Sequence, residues 1–339
     1  MTPGPGRGAG RAGAGADRAG LAGGGAVCAG ADRAGLAGAG GVELCGVRLR
    51  GPVLNGSGTF DALAARRAFG DALLERFPFD AFVSKTITRE PRQGNPPPRL
   101  WETPAGLINS IGLPNRGLDG FIAHDLPRLA ELPVPLVVSV MAPSPEALAD
   151  LAARVAQREE VTMIELNVSC PNVKTGLVMG ADPVEAGRAV DHVRRVVEKP
   201  LILKLTPNAA SPAEVARAGE QAGADALSLV NTLRGMALDP RTGAPWLGGG
   251  TGGVSGAAIR AVALEQVHSV AGAVAVPVVG MGGIATGRDA ADFLRAGATC
   301  VAVGTESFRD PGAGARVAAD LSAIVAESRD FAPAMRAPA

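Results

Sequence analysis

The chain has 339 residues, 47% of them hydrophobic, enough for one large or two ordinary domains with a substantial core, which excludes disorder throughout. Lysine plus arginine and aspartate plus glutamate each number 33, so no net basic field exists to hold a nucleic acid or an anionic membrane, and a small-molecule partner is expected. Cys28, Cys45, Cys170 and Cys300 are far apart and form no C-x-x-C pair, which gives no zinc or iron–sulfur ligand set, predicts no metal and points to a reducing, cytoplasmic setting.

Residues 1–40 are almost entirely Gly, Ala, Arg and Asp, and AGADRAGLAG occurs at both 14–23 and 29–38. Such a stretch buries too little apolar surface to offset its ordering entropy, so a disordered tail is expected ahead of one domain over 41–339. No run in it is long enough for the apolar core of a signal peptide, and no later run is long enough to span a membrane. From Val42 the pattern changes, and VELCGVRLRGPVL alternates like a short hairpin.

Short apolar runs then take turns with longer amphipathic stretches. The runs are PVLN at Pro52, AFVSK at Ala81, PLVVSVM at Pro135, MIELNV at Met163, LILKLT at Leu201, ALSLV at Ala226, VPVVGM at Val276 and CVAVG at Cys300. Helical patterns occupy 61–77, 117–131, 145–157, 183–198, 212–222, 256–270, 287–296 and 312–327. Ser144, Asp182 and Ser211 each precede a proline at a helix start, as N-caps do. Eight strand–helix pairs whose strands lack alternation predict an α/β protein, a (β/α)8 TIM barrel behind a short N-terminal hairpin. A doubly wound open sheet is the alternative, although no G-x-G-x-x-G opens the first helix. The long βα connections 89–115 and 233–254, the second carrying Trp246, are expected to cover the carboxyl-terminal face, and 173–182 to form a mobile lid.

Chemistry in such barrels sits at the carboxyl ends of the strands. There the chain places Asn55 with Ser57, Lys85 with Thr86, Asn167 with Cys170 and Asn172, Lys204, and Asn231 with Thr232. LILKLT puts an ammonium inside a strand covered on both faces, so Lys204 needs an anionic or strongly polar neighbour unless it snorkels out to solvent. VVGMGGIATGRDA and AVGTESF follow the last two strands, and TGGVSGAAIR feeds a helix. Their Gly282, Gly283, Gly304 with Thr305, and Ser255 with Gly256 suit a phosphate-bearing ligand, although tight turns also need glycine. Cys170 can act as a thiolate base or nucleophile, whereas His124, His192 and His268 all fall in helical stretches. Asn109, Asn167, Asn172 and Asn231 together suit a flat, amide-rich ring.

Assembled, these stretches resemble the class 1 dihydroorotate dehydrogenases, FMN-dependent barrel enzymes of pyrimidine synthesis. The resemblance runs from about Val42 to the last helix and rests on NGSGTF at Asn55, SKTIT at Ser84, GNPPPRLWETPAGLINSIGLPN at Gly94, IELNVSCPNVKTG at Ile164, LKLTPN at Leu203, NTLRGMALD at Asn231, TGGVSGAAIR, GMGGIATGRDA and AVGTESF. It implies oxidation of (S)-dihydroorotate to orotate, with Cys170 taking the C5 proton while hydride passes from C6 to FMN N5. It also implies that Lys85, Asn109, Asn167, Asn172, Asn231 and Thr232, with the backbone of Ile111, Gly112 and Leu113, hold the substrate. Ser57, Gly58, Lys85, Thr86, Asn167, Ser255, Gly256, Gly282, Gly283, Gly304 and Thr305 would contact flavin or phosphate, with Lys204 at the N1 and O2 edge. CPNVKTG and NTLRGMALDPRTGAP resemble the branch linked to NAD through a second subunit carrying FAD and an iron–sulfur cluster, and a homodimer is implied in either branch; the fumarate-linked branch is the alternative. From the residues alone, a phosphate-sugar isomerase or aldolase with Lys204 as a Schiff-base lysine, or a non-catalytic flavin-binding subunit, stays open.

Overall fold

The computed structural model describes residues 41–169 and 179–327. A two-stranded hairpin, β1 (Val42–Leu44) and β2 (Val47–Leu49), opens it. Eight parallel strands follow among the described residues: β3 (Val53–Asn55), β4 (Phe82–Val83), β7 (Leu136–Val140), β8 (Met163–Asn167), β9 (Leu201–Lys204), β10 (Ala226–Leu229), β13 (Val278–Met281) and β14 (Cys300–Val303). Their spatial order is β3-β14-β13-β10-β9-β8-β7-β4, each beside its neighbour in the barrel sequence.

The two end strands meet, which excludes the open sheet. Leu54 and Ala81 form a parallel bridge, and beyond it the buried Asn55 side chain continues the ladder, donating from Nδ2 to the Val83 carbonyl at 2.8 Å and accepting from the Val83 N–H at 2.8 Å. One amide side chain thus stands in for backbone at the seam, satisfying a donor and an acceptor that burial would otherwise leave costly.

Because side chains alternate along a strand, each barrel strand faces two environments. Outward residues such as Leu136, Val138, Ile164, Leu166, Leu201 and Leu203 pack in the shell against the helices. Inward, the amino-terminal layer is apolar, with Val137, Met163, Ile202 and Ala226, and the hairpin's Leu44 and Leu49 join the same cluster and plug that end. One step further along the same four strands, the inward residues are Ser139, Glu165, Lys204 and Ser228, all buried.

The helices occupy the expected stretches with two interruptions. The 61–77 pattern divides at Gly70 into α1 (Ala62–Phe69) and α2 (Ala72–Glu75). The 117–131 pattern becomes α3 (Gly117–Gly120), a wide π turn over Phe121–Asp125 and α4 (Leu126–Leu129). Pro127 has no N–H to continue a regular α ladder, and a widened turn accommodates it. The expected N-caps are present: Ser144 starts α5 (Pro145–Ala156), Asp182 starts α6 (Pro183–Arg194) and Ser211 starts α7 (Pro212–Gln221), each accepting from a first-turn N–H. A single 3₁₀ turn, Ala257–Ile259, precedes α8 (Arg260–Ala271), and α9 (Gly287–Arg295) and α10 (Ala313–Glu327) complete the shell. No described helix is long and apolar enough to cross a membrane.

The two long connections do more than drape. β5 (Leu100–Thr103) and β6 (Gly106–Asn109) from the first pair with β12 (Gly252–Ser255) and β11 (Leu233–Gly235) from the second, giving an antiparallel sheet ordered β11-β12-β6-β5. Ile108, Ala237 and Leu247 form a small core beneath it, with the Trp101 and Trp246 rings edge-to-face at 4.9 Å. Residues 170–178, which include most of the expected lid, lie outside the described residues.

Candidate active site

A cavity of about 360 Å³ lies where the barrel's carboxyl ends meet the covering sheet, large enough for a small organic ligand. Ser57, Gly58, Lys85 and Thr86 line it from the ends of β3 and β4, Asn167 from β8, Lys204 from β9, and Asn231 with Thr232 from the end of β10. Gly282 and Gly283 follow β13, and Gly304 and Thr305 follow β14. The covering sheet contributes Asn109 from β6 and Ser255, followed by Gly256, from β12, while Ile111 and Leu113 come from the loop beyond β6. Gly112, between them, does not line the cavity and packs on Asn95, whose backbone nitrogen a Cβ would approach to 2.5 Å. Cys170 and Asn172 lie outside the described residues; the last one before them, Ser169, donates its hydroxyl to the Lys204 carbonyl at 3.4 Å.

Lys204 does not snorkel. It is 5% exposed, and its Nζ lies 3.5 Å from Oε1 of Glu165, itself 2% exposed. Both carboxylate oxygens are held: Ser139 donates to Oε1 at 2.9 Å and Ser228 to Oε2 at 3.1 Å. Above Ser139, Thr86 Oγ1 lies 2.9 Å from its hydroxyl and accepts from Asn167 Nδ2 at 3.1 Å. Each hydroxyl has one proton, so donation runs from Thr86 to Ser139 to Glu165. Glu165 was missed among the site residues, yet MIELNV carries the signal: a carboxylate inside a strand covered on both faces needs a cation as much as Lys204 needs an anion.

The remaining polar groups are oriented by local contacts. Asn109 Nδ2 donates to the Gly253 carbonyl at 3.2 Å across the β6–β12 pair. Asn231 Oδ1 accepts from the Thr232 N–H at 2.8 Å, and Ser57 Oγ donates to the Ser84 carbonyl at 2.8 Å. Lys85 keeps an exposed side chain on the cavity wall, yet partial desolvation by the surrounding atoms lowers its pKa, with Arg99 pushing the same way and Asp61 opposing. Asn115 and Asn208 serve as turn-makers, Asn115 accepting from Gly117 N–H at 2.8 Å and Asn208 donating to the Thr232 carbonyl at 3.1 Å. The apolar walls, including Leu100, Leu107, Val230, Met281 and Phe308, carry no chemical signature in the sequence and were not singled out.

Among the described residues, no histidine, carboxylate or thiol lines the cavity. His124, His192 and His268 sit on the π turn, α6 and α8, and none lines it. Burial pushes the Cys45 thiol up to about 12 and raises that of the fully buried Cys300 as well, so both are inert packing residues near neutral pH.

Known proteins resemble this chain over most of its length. Residues 41–325 match the family model described as dihydroorotate dehydrogenase. A protein of Pelobacter propionicus named dihydroorotate dehydrogenase B (NAD(+)), catalytic subunit, is 47% identical over 279 residues, covering 82% of this chain and 90% of the relative. Proteins of the same name from Geotalea daltonii and Geobacter sulfurreducens are 45% and 44% identical, each over 85% of this chain and 93% of their own length. With the closed barrel, the covered cavity and this similarity along nearly the whole described chain, the protein belongs to the dihydroorotate dehydrogenase family.

Proposed function

We propose that the chain is the catalytic subunit of an NAD-linked dihydroorotate dehydrogenase, oxidising (S)-dihydroorotate to orotate in pyrimidine synthesis with FMN in the cavity. The observation that carries the reading is a buried cation, Lys204, facing a cavity ringed by amide side chains and glycine turns. An aldolase is not favoured, because a Schiff-base lysine must be free to attack a carbonyl, and Lys204 is engaged by a carboxylate that two serines hold.

The residues present fit the cofactor. Gly282 and Gly283 both have positive φ, so their turn brings backbone close to whatever fills the cavity, and Gly304 with Thr305 and Ser255 with Gly256 border the same space. These would hold the phosphate and ribityl chain, with Ser57, Gly58, Thr86 and Asn167 on the ring and Lys204 opposite its electron-rich edge. FMN held there would supply the acceptor for the hydride leaving C6 of the substrate.

The chain's own residues do the rest. Cys170 removes the C5 proton, so that the two hydrogens leave as proton and hydride and a C5–C6 double bond remains. Asn109, Asn167, Asn172, Asn231 and Thr232, with the backbone of Ile111 and Leu113, hold the pyrimidine amides, and Lys85 meets its carboxylate; Gly112, turned onto Asn95, is left out of that set. The covering sheet, with β12 and β6 across the mouth, keeps water from the proton being moved.

Lys85 gives this assignment a pH signature. Its folded pKa is lowered, so the ammonium is lost at a pH below the ordinary lysine range, and affinity for an anionic substrate falls as the pH climbs toward that range. Steady-state kinetics should show KM for dihydroorotate rising on the alkaline side. Lys85→Met should have KM roughly 10- to 100-fold higher at neutral pH and lose the alkaline limb. A wild-type KM that stays flat while only kcat changes would remove Lys85 from the substrate.

The relatives' name, a catalytic subunit, implies a partner, and we assign that role to a subunit carrying FAD and an iron–sulfur cluster that passes electrons to NAD, with this chain a homodimer in the cytoplasm. The direct test is anaerobic: the purified chain should be yellow and bleach when dihydroorotate is added. A colourless protein, or a yellow one indifferent to dihydroorotate, would refute the assignment. Co-purification followed by an NAD reduction assay tests the partner.

A further inference from the structure

The barrel interior holds a carboxylate to which the reaction above gives no task. Glu165 lies in the inward layer between Ser139 on β7 and Lys204 on β9, and it does not line the cavity although Lys204 does. Its two oxygens are fixed by hydroxyls from two other strands, Ser139 and Ser228, so the carboxylate cannot turn away from the ammonium. A buried pair of this kind is poor value for stability alone, since well-packed apolar side chains of similar volume do as well or better. Here the cation end faces a ligand cavity and the anion end is hidden and braced. That asymmetry suits a device for holding and tempering a charge.

We infer that Glu165 is a positioning residue for the redox step: acting through Lys204, it fixes the ammonium at the cavity floor and offsets part of its charge, and so sets how strongly the bound FMN favours its reduced form. The inference rests on the proposed reading that FMN occupies the cavity. A positive charge facing an electron-accepting ring stabilises the electron-rich state, and a carboxylate 3.5 Å behind that charge weakens the effect. Removing the carboxylate's charge while keeping its shape therefore makes the flavin easier to reduce.

The test is the FMN midpoint potential of the purified holoenzyme, measured anaerobically against a redox dye in wild type, Glu165→Gln, Lys204→Gln and the double variant. Glu165→Gln should raise the ratio of reduced to oxidised flavin at a given potential by roughly tenfold, about 30 mV for a two-electron couple. Lys204→Gln should lower it, and Glu165→Gln should have little further effect once Lys204 is gone. An unchanged potential in Glu165→Gln, or an equal rise with and without Lys204, overturns the inference, the second because the carboxylate then acts directly. Should Glu165→Gln fail to retain FMN, Glu165→Asp keeps the charge and withdraws it by one methylene; a smaller upward shift supports the inference and none overturns it. Wild-type protein that lacks FMN, or whose FMN dihydroorotate leaves oxidised, sinks the functional reading as well, whereas normal wild-type behaviour with an unmoved Glu165→Gln sinks the inference alone.

Discussion

Cys170→Ala should lower kcat by roughly 10²- to 10⁴-fold at neutral pH, the range that a positioned general base contributes, while the flavin spectrum and orotate affinity stay close to wild type. Cys170→Ser should be nearly as slow near neutral pH and recover partly as the pH is raised, because a hydroxyl surrenders its proton far less readily than a thiol. Cys170 directly follows Ser169 beyond the end of β8, and among the described residues no histidine lines the cavity. Tyrosine is absent from the chain. Rapid-mixing reduction of the flavin by dihydroorotate separates this step from turnover with the partner. A Cys170→Ser enzyme within a few-fold of wild type would end the assignment. Alkylation of a Cys28→Ala protein gives independent access to the same point, since the raised thiols of Cys45 and Cys300 disfavour their reaction near neutral pH. Inactivation should track modification of Cys170 and be slowed by orotate.

Gly283→Ala should yield protein that folds but loses flavin, with affinity roughly 10- to 100-fold weaker. Gly283 has φ +76°, and a Cβ there would lie 2.8 Å from both the Gly256 carbonyl oxygen and Arg260 Cβ. The left-handed backbone alone costs an alanine about 1–2 kcal/mol. The contact with Gly256 then forces apart two turns that border the cavity from different elements. The control is Gly46→Ala at the hairpin turn: φ is +77° but nothing lies within 4 Å, so it carries the same backbone strain at the plugged end of the barrel. Flavin per mole of protein, read from absorbance after gel filtration, should fall in the first variant and hold in the second. Full occupancy in Gly283→Ala, or equal loss in both, would show that the turn does not grip the cofactor.

The sequence made the barrel legible for a physical reason. A parallel strand covered on both faces has no polar side, and runs such as LVVSV and CVAVG admit few other readings. The covering sheet was not legible as strands. β12 reads GGVS and β11 LRG, too short and too glycine-rich for alternation to register, and β12 pairs with β6 from a segment more than a hundred residues away. The polar residues at strand ends were found by position, but position alone does not separate their tasks: Asn55 stands among them and turns out to close the barrel seam. Glu165 escaped because a lone charge in an apolar run looks like a blemish until its partner on the next strand is known. Cys170 was legible as chemistry, although its surroundings lie outside the described residues.

β12 belongs to two structures at once. Its backbone pairs with β6 across the cavity mouth, and its last residue, Ser255, runs straight into the Gly256 turn at the cavity's edge. Roof and handle are a single length of chain, so this architecture cannot adjust cofactor grip and solvent shielding independently through that strand. Inheritance of one trait drags the other with it, and loosening either for a new ligand would demand compensation from β6 or from the turn beyond β14.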